Sequence, residues 1–270
     1  MIRIGCCAEA SDYVLVRDAG YDAIELPGKQ IAALTSEAFR ELEHLVRAGG
    51  LPCCGFNAAF PPEIRVCGPN YNLKTAREYM KILCLRGAAL GGAAIGVGSP
   101  ASRTLPDGFE MALAWEQARS FLAALCQEAA LYDINILWES LNPTETNFGL
   151  SMPEAAEKIQ ELRRDGLENL WLVADFYHMS MVGENPQVLI DCLPLVRHLH
   201  IAQRVGSQRR YPSLEYAKDY QQLLRPVIAS GYSGVISMEA FDGRIAVEGT
   251  AALKLLRQLI GDCKTVKYKK

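Results

Sequence analysis

The sequence has little excess charge of either sign. Its 28 lysines and arginines face 31 aspartates and glutamates, a formal net charge of −3 at pH 7 across 270 residues. That balance supplies no basic face for a nucleic-acid backbone, which requires clustered Lys and Arg. The only basic run is Lys264, Lys267, Lys269 and Lys270, read as a solvated tail over 263–270. No apolar stretch reaches the roughly 20 residues that cross a bilayer. The start, MIRIGCCAEA, lacks the long apolar segment and small-residue cleavage site of a signal peptide, so a cytoplasmic location is expected. Nine cysteines are present, but none in a C-x-x-C spacing, which removes zinc knuckles and thioredoxin-type motifs. Cys6-Cys7 and Cys53-Cys54 sit inside apolar runs and read as reduced, buried thiols. Gly96 and Gly98 lack a third glycine at nucleotide-binding spacing, so no dinucleotide fingerprint exists. Histidine is scarce, at four residues, and His44 lies in a charged helical segment.

What is present is an alternation. With 50% hydrophobic and 22% charged residues, the chain can bury a sizeable core. Short β-rich runs fall at 2–7, 23–27, 53–57, 93–99, 134–140, 170–176, 196–202 and 234–240. Helical periodicity occupies 13–19, 36–48, 73–89, 108–132, 152–164, 186–193, 214–230 and 249–260. Ser36 reads as a capping residue, and Ser151 with Pro153 and Glu154 as a capping box. Eight strand-then-helix units require parallel strands, each helix being the crossover between neighbours. That count over about 250 residues is the size of a closed (β/α)8 barrel. The expected architecture is α/β, a single (β/α)8 TIM barrel over residues 1–262 with no internal linker.

In such a barrel the functional site lies at the carboxyl ends of the strands. Five strands end in ionisable residues: Glu25 on the second, Glu139 on the fifth, Asp175 on the sixth, His200 on the seventh and Glu239 on the eighth. A single acid at a strand end is more often a solvated loop residue. Four such residues on successive strands are a different matter. Side chains alternate across a strand, so Glu139, Asp175, His200 and Glu239 can share the inward face and converge on the mouth. Carboxylates that close repel and resist ionisation unless a cation intervenes. Carboxylate oxygen plus imidazole suits Mn²⁺, Zn²⁺ or Co²⁺. His178, three residues past Asp175, can face the same mouth. His198 is either a hydrogen-bonded core residue or a support for the ligands.

These residues resemble the xylose isomerase-like TIM barrel superfamily, in its sugar phosphate isomerase/epimerase (AP endonuclease family 2) branch. The likeness spans nearly the whole chain. It is carried by Gly20-Tyr21-Asp22-Ala23-Ile24-Glu25-Leu26, by the 98–108 loop, and by Trp138-Glu139-Ser140-Leu141-Asn142-Pro143 with Glu145-Thr146-Asn147. Ala174-Asp175-Phe176-Tyr177-His178-Met179, His198-Leu199-His200-Ile201-Ala202, Arg210-Tyr211-Pro212 and Ile236-Ser237-Met238-Glu239-Ala240 complete it. The resemblance implies one divalent metal ion (Mn, Zn, Co or Mg) on Glu139, Asp175, His200 and Glu239, with Glu139 and Glu239 also the catalytic acid/base pair. It implies substrate contacts from His178, Arg210 and Glu25. Arg209 and Arg210 are adjacent, so a one-residue slip exchanges them.

The activity so implied is isomerisation or epimerisation of a keto sugar by proton transfer beside a carbonyl, with a small carbohydrate as partner and neither nucleic acid nor membrane. A lyase or dehydratase acting on a keto sugar or cyclitol through the same metal site, and a non-catalytic barrel subunit, remain alternatives. An apurinic endonuclease of this fold needs further histidines at earlier strand ends, and this chain has only His44 before the sixth strand. The sugar, its phosphorylation and homo-oligomerisation are left open. Arg103, Arg209 and Arg210 are candidates for holding a phosphate, with solvated surface roles as the alternative.

Overall fold

All eight β-rich runs form strands in the computed structural model, which describes residues 2–265. They are β1 (Arg3–Cys7), β2 (Ala23–Pro27), β3 (Cys53–Asn57), β4 (Ala94–Val97), β5 (Asn135–Glu139), β6 (Leu170–Asp175) and β7 (Val196–Ile201). A short hairpin of β8 (Gln203–Val205) and β9 (Gln208–Arg210) follows, and β10 (Val235–Met238) is the eighth barrel strand. Every barrel pair is parallel, and β1 closes the sheet against β10 on one side and β2 on the other. The expected single (β/α)8 barrel is therefore the fold.

Helix ends are set by local capping. Thr35, one residue before the expected Ser36, caps the helix Ser36–Gly49, its hydroxyl accepting from the Ala38 N–H at 3.2 Å. Thr35 keeps an extended backbone while Ser36 is already helical, and only the former geometry lets a side chain reach the third N–H. Ser151 caps Met152–Arg164 as expected, accepting from the Glu154 N–H at 3.3 Å. The reciprocal half of the capping box is missing. Glu154 instead accepts from the Trp115 indole N–H at 3.0 Å and ties two neighbouring helices together. The helix Thr250–Thr265 extends past residue 262, and Lys267, Lys269 and Lys270 of the expected tail lie outside the described residues. All nine cysteines are buried and free, and burial pushes the Cys53 thiol up to about 12.

One large apolar core lies between the strands and the surrounding helices. A second, small cluster of Ala23, Cys54 and Val235 is separate from it. Ala23 and Val235 precede Glu25 and Ser237 by two residues, so each pair shares a strand face. These small side chains form an apolar floor beneath a polar layer. Among the described residues no helix is long and apolar enough to cross a membrane.

Candidate active site

The strand register assembles the mouth. His200 on β7 lies level with Asp175 on β6 and with Ser237 on β10, and Glu239 follows Ser237 by two residues. Glu139 is the last residue of β5. As a result one ligand atom from each of Glu139, Asp175, His200 and Glu239 lies within 4.8 Å of the others, and all four residues are buried. The His200 Nδ1 atom is 3.2 Å from Glu139 Oε1 and 3.7 Å from Glu239 Oε2. Three carboxylates and one imidazole nitrogen at this spacing form a donor set for a divalent cation.

Asp175 does two jobs. Its Oδ1 accepts from the Tyr177 N–H at 2.8 Å and caps the helix Phe176–Val182, which starts directly at the strand end. The other oxygen is left for the cluster. Starting a helix there carries His178 onto the first turn, where its Nε2 is 3.4 Å from Asp175 Oδ2. The Asn142 backbone N–H donates to His178 Nδ1 at 3.2 Å, which fixes the ring's orientation.

Arg209, not Arg210, enters the mouth. Its guanidinium contacts Asp175 at 3.2 Å and Glu145 at 3.1 Å, donates to Glu239, and lies 2.8 Å from His178 Nε2. It also stacks over the Tyr177 ring at 4.3 Å. The Arg210 side chain is 41% exposed and pairs with Glu248 at 3.5 Å. Of the adjacent pair it is thus Arg209 whose side chain faces the cluster, while Arg210, expected as the substrate contact, points away from it. Consecutive residues of β9 point to opposite faces, and the Arg209 N–H is anchored to Asp242 at 2.8 Å, which sets the phase.

Glu25 also departs from its expected place as a substrate contact. Its carboxylate is 3% exposed and lies behind His200, with Oε1 3.1 Å from His200 Nε2 and Oε2 2.9 Å from His198 Nε2. Arg103 is fully buried rather than facing the mouth, donating to the Glu139 carbonyl at 2.7 Å. Burial lowers its guanidinium to about 10.

Burial opposes ionisation throughout this cluster, and neighbouring charge decides each outcome. Glu25 loses solvent, yet His198 and His200 hold its carboxyl well below the usual range. Burial would depress His200, but Glu25 and Glu239 push it well above its ordinary value. Burial raises Asp175 despite Arg209, whereas Arg209 and His200 overcome burial at Glu239 and lower it. Positive charge is what this site demands, and His200 and Arg209 supply it here.

Three further residues that contact the cluster are not ionisable strand ends. Asn57 closes β3 and donates to Glu239 Oε1 at 3.1 Å. A search for any polar residue ending an apolar strand finds it. Asn142 and Glu145 lie on the loop after β5, where strand parity gives no guidance. Beside the cluster, Asn57 lines a cavity of about 480 Å³ together with Cys7, Glu9, Lys29, Tyr211 and Phe241.

The sequence profile of the xylose isomerase-like TIM barrel family matches residues 14–259. The chain belongs to that family. Among solved structures, this family member is similar to 3-keto-D-glucoside 4-epimerase from E. coli, with TM-score 0.74 and 20% identity over 96% of this chain and 99% of that one. It is also similar to D-psicose 3-epimerase from Clostridium cellulolyticum H10, with TM-score 0.73 and 16% identity over 98% of each chain. A family 2 AP endonuclease from Brucella melitensis matches with TM-score 0.72 and 16% identity over 92% and 96%. No curated protein sequence matches the chain significantly.

Proposed function

We propose that this chain is a divalent-metal-dependent epimerase or isomerase of a keto sugar. The observation that carries the reading is the convergence of Glu139 and Glu239, with Asp175, on one nitrogen of His200 in a buried cluster at the barrel mouth. The donor set fits a hard or borderline cation, because three buried carboxylates require compensating charge and offer oxygen ligands. Glu139, Asp175, His200 and Glu239 would hold the ion, which supplies Lewis-acid polarisation of a carbonyl oxygen.

The chain's own groups account for the proton transfers. Glu139 ends β5 and Glu239 directly follows β10, strands separated in the barrel by β6 and β7, so they approach a bound sugar from different sides. One removes the proton beside the carbonyl and the other returns one. Return to the opposite face of the same carbon gives the epimer, and return to the neighbouring carbon gives the aldose or ketose isomer. His178, Arg209 and Glu145 form a polar wall that can orient hydroxyl groups. The cavity of about 480 Å³ falls within the usual range for small-molecule sites. The named activities of the E. coli and Clostridium structures support the same reading.

The test is exchange with solvent. Protein loaded with Mn²⁺ is incubated in D₂O with a panel of free and phosphorylated keto sugars. Deuterium is expected at the carbon beside the carbonyl, with an epimer or isomer forming. Glu139→Gln or Glu239→Gln should slow the exchange by roughly 10²-fold or more. Exchange of no keto sugar, or equal exchange in both variants and wild type, overturns the reading.

A further inference from the structure

Behind the proposed cation site runs a chain of buried polar groups that no step above uses. Glu25 Oε1 is 3.1 Å from His200 Nε2, and Oε2 is 2.9 Å from His198 Nε2. The same His198 nitrogen is 2.9 Å from the Ser237 hydroxyl. Glu25, His198, His200 and Ser237 are all 3% exposed or less, so no solvent competes for these contacts.

The strands are shaped to hold this chain. The β2–β3 register shifts between Ile24 and Glu25, and such irregularities re-aim the side chain that follows. Gly5 lies level with Ser237 on the adjoining strand. A Cβ at position 5 would meet the Ser237 hydroxyl at 2.7 Å, so glycine leaves the room that hydroxyl occupies.

His200 directs Nδ1 towards Glu139 and Glu239, the side on which a cation would sit. An imidazole that ligates through Nδ1 carries its proton on Nε2. An ionised carboxylate has only acceptors, so Glu25 can satisfy an Nε2–H and cannot satisfy a bare Nε2. The second histidine, hydrogen-bonded to Ser237, stands 2.9 Å from Oε2 and packs against the carboxylate, leaving Glu25 little freedom to turn away.

We propose that Glu25 is a positioning residue for the cation site: through Oε1 it selects the His200 tautomer with a free Nδ1 and fixes the ring that presents it. This rests on the metal-dependent reading above and adds to it a role for a residue that touches neither ion nor sugar. Partners of this kind orient a ligating histidine and increase its basicity.

Two measurements test the proposal without an activity assay. Long-range ¹H–¹⁵N spectra of the Zn²⁺-loaded wild-type chain should show the His200 proton on Nε2. Titration calorimetry with Mn²⁺ should show Glu25→Gln binding about 10- to 100-fold more weakly than wild type, since the amide keeps the volume but removes the charged acceptor that orients the ring and raises its basicity. Glu25→Gln spectra should show that the single His200 tautomer is lost, a change that looser packing alone would not produce. A wild-type His200 proton on Nδ1 overturns the proposal even if the variant fails to fold. So does Mn²⁺ affinity within twofold of wild type in a folded variant, and both results leave the metal-dependent function standing. A wild-type chain that takes up no Mn²⁺ or Zn²⁺ overturns the function and the positioning role together.

Discussion

Arg209 and Arg210 show how much one residue of phase decides. Arg209 is 9% exposed and surrounded by Asp175, Glu145, Glu239 and His178, whereas Arg210 reaches Glu248 from a half-exposed position. Removing one partner of a buried, hydrogen-bonded charge cluster strands the others without solvent. In the ion-free protein, Arg209→Ala should therefore cost about 3–5 kcal/mol. Arg210→Ala should cost less than about 1 kcal/mol, as for other exposed pairs. Denaturant titration of both variants checks the contrast. Once a substrate is found, Arg209→Ala should also raise KM about 10- to 100-fold, the scale of a lost charged hydrogen bond. Equal behaviour of the two variants would remove Arg209 from the site.

Among the elements, the β4–β5 pair is tuned most closely to the chemistry. Val97 lies level with Trp138, which puts Gly98 beside Glu139. A Cβ at Gly98 would collide with Glu139 Oε2, so glycine here is a matter of clearance for a carboxylate. Gly98→Ala should leave the barrel folded but displace that carboxylate. Since a misplacement of about 1 Å can cost about 10²-fold, turnover should fall on that order while the circular dichroism spectrum is unchanged. Wild-type turnover in Gly98→Ala would show that Glu139 sits elsewhere during the reaction. The helix beginning at Asp175 is a related case. The Asp-x-x-His spacing works because an N-cap and the third helical residue face one opening, so strand, cap and site residue are specified by four consecutive positions.

For the whole molecule, the four proposed ligands come from β5, β6, β7 and the residue that follows β10, so an ion there would bind only the closed barrel. Binding to the folded state alone stabilises by about 2.7 kcal/mol when the ligand is at about 100 times its Kd. Mn²⁺ should therefore raise Tm in wild type and fail to do so in Asp175→Ala. A thermal scan with and without EDTA checks this, and an equal shift in both proteins would place the ion away from Asp175.

The sequence alone determined the architecture, because eight short β-rich runs separated by helical periods leave parallel crossovers as the only short connections. It also determined which strand ends carry polar chemistry, because side chains alternate with a period of two and the acids fall in phase. Depth and phase outside the regular strands belonged to the tertiary structure. Glu25 lies mid-strand in β2, two residues before its end, and its contact with the His200 Nε2 side is made by how β2 and β7 face each other across the closed barrel. Hairpin β8–β9 was not legible, since three-residue strands carry too short a pattern, and its phase comes from Asp242 on the loop after β10. Glu145 and Asn142 reach the mouth from a loop whose path no periodicity describes, and their contacts with Arg209 and His178 exist only once the barrel has closed. Local spacing encodes which face a residue takes, whereas the distance between faces on different strands is set only by closure of the sheet.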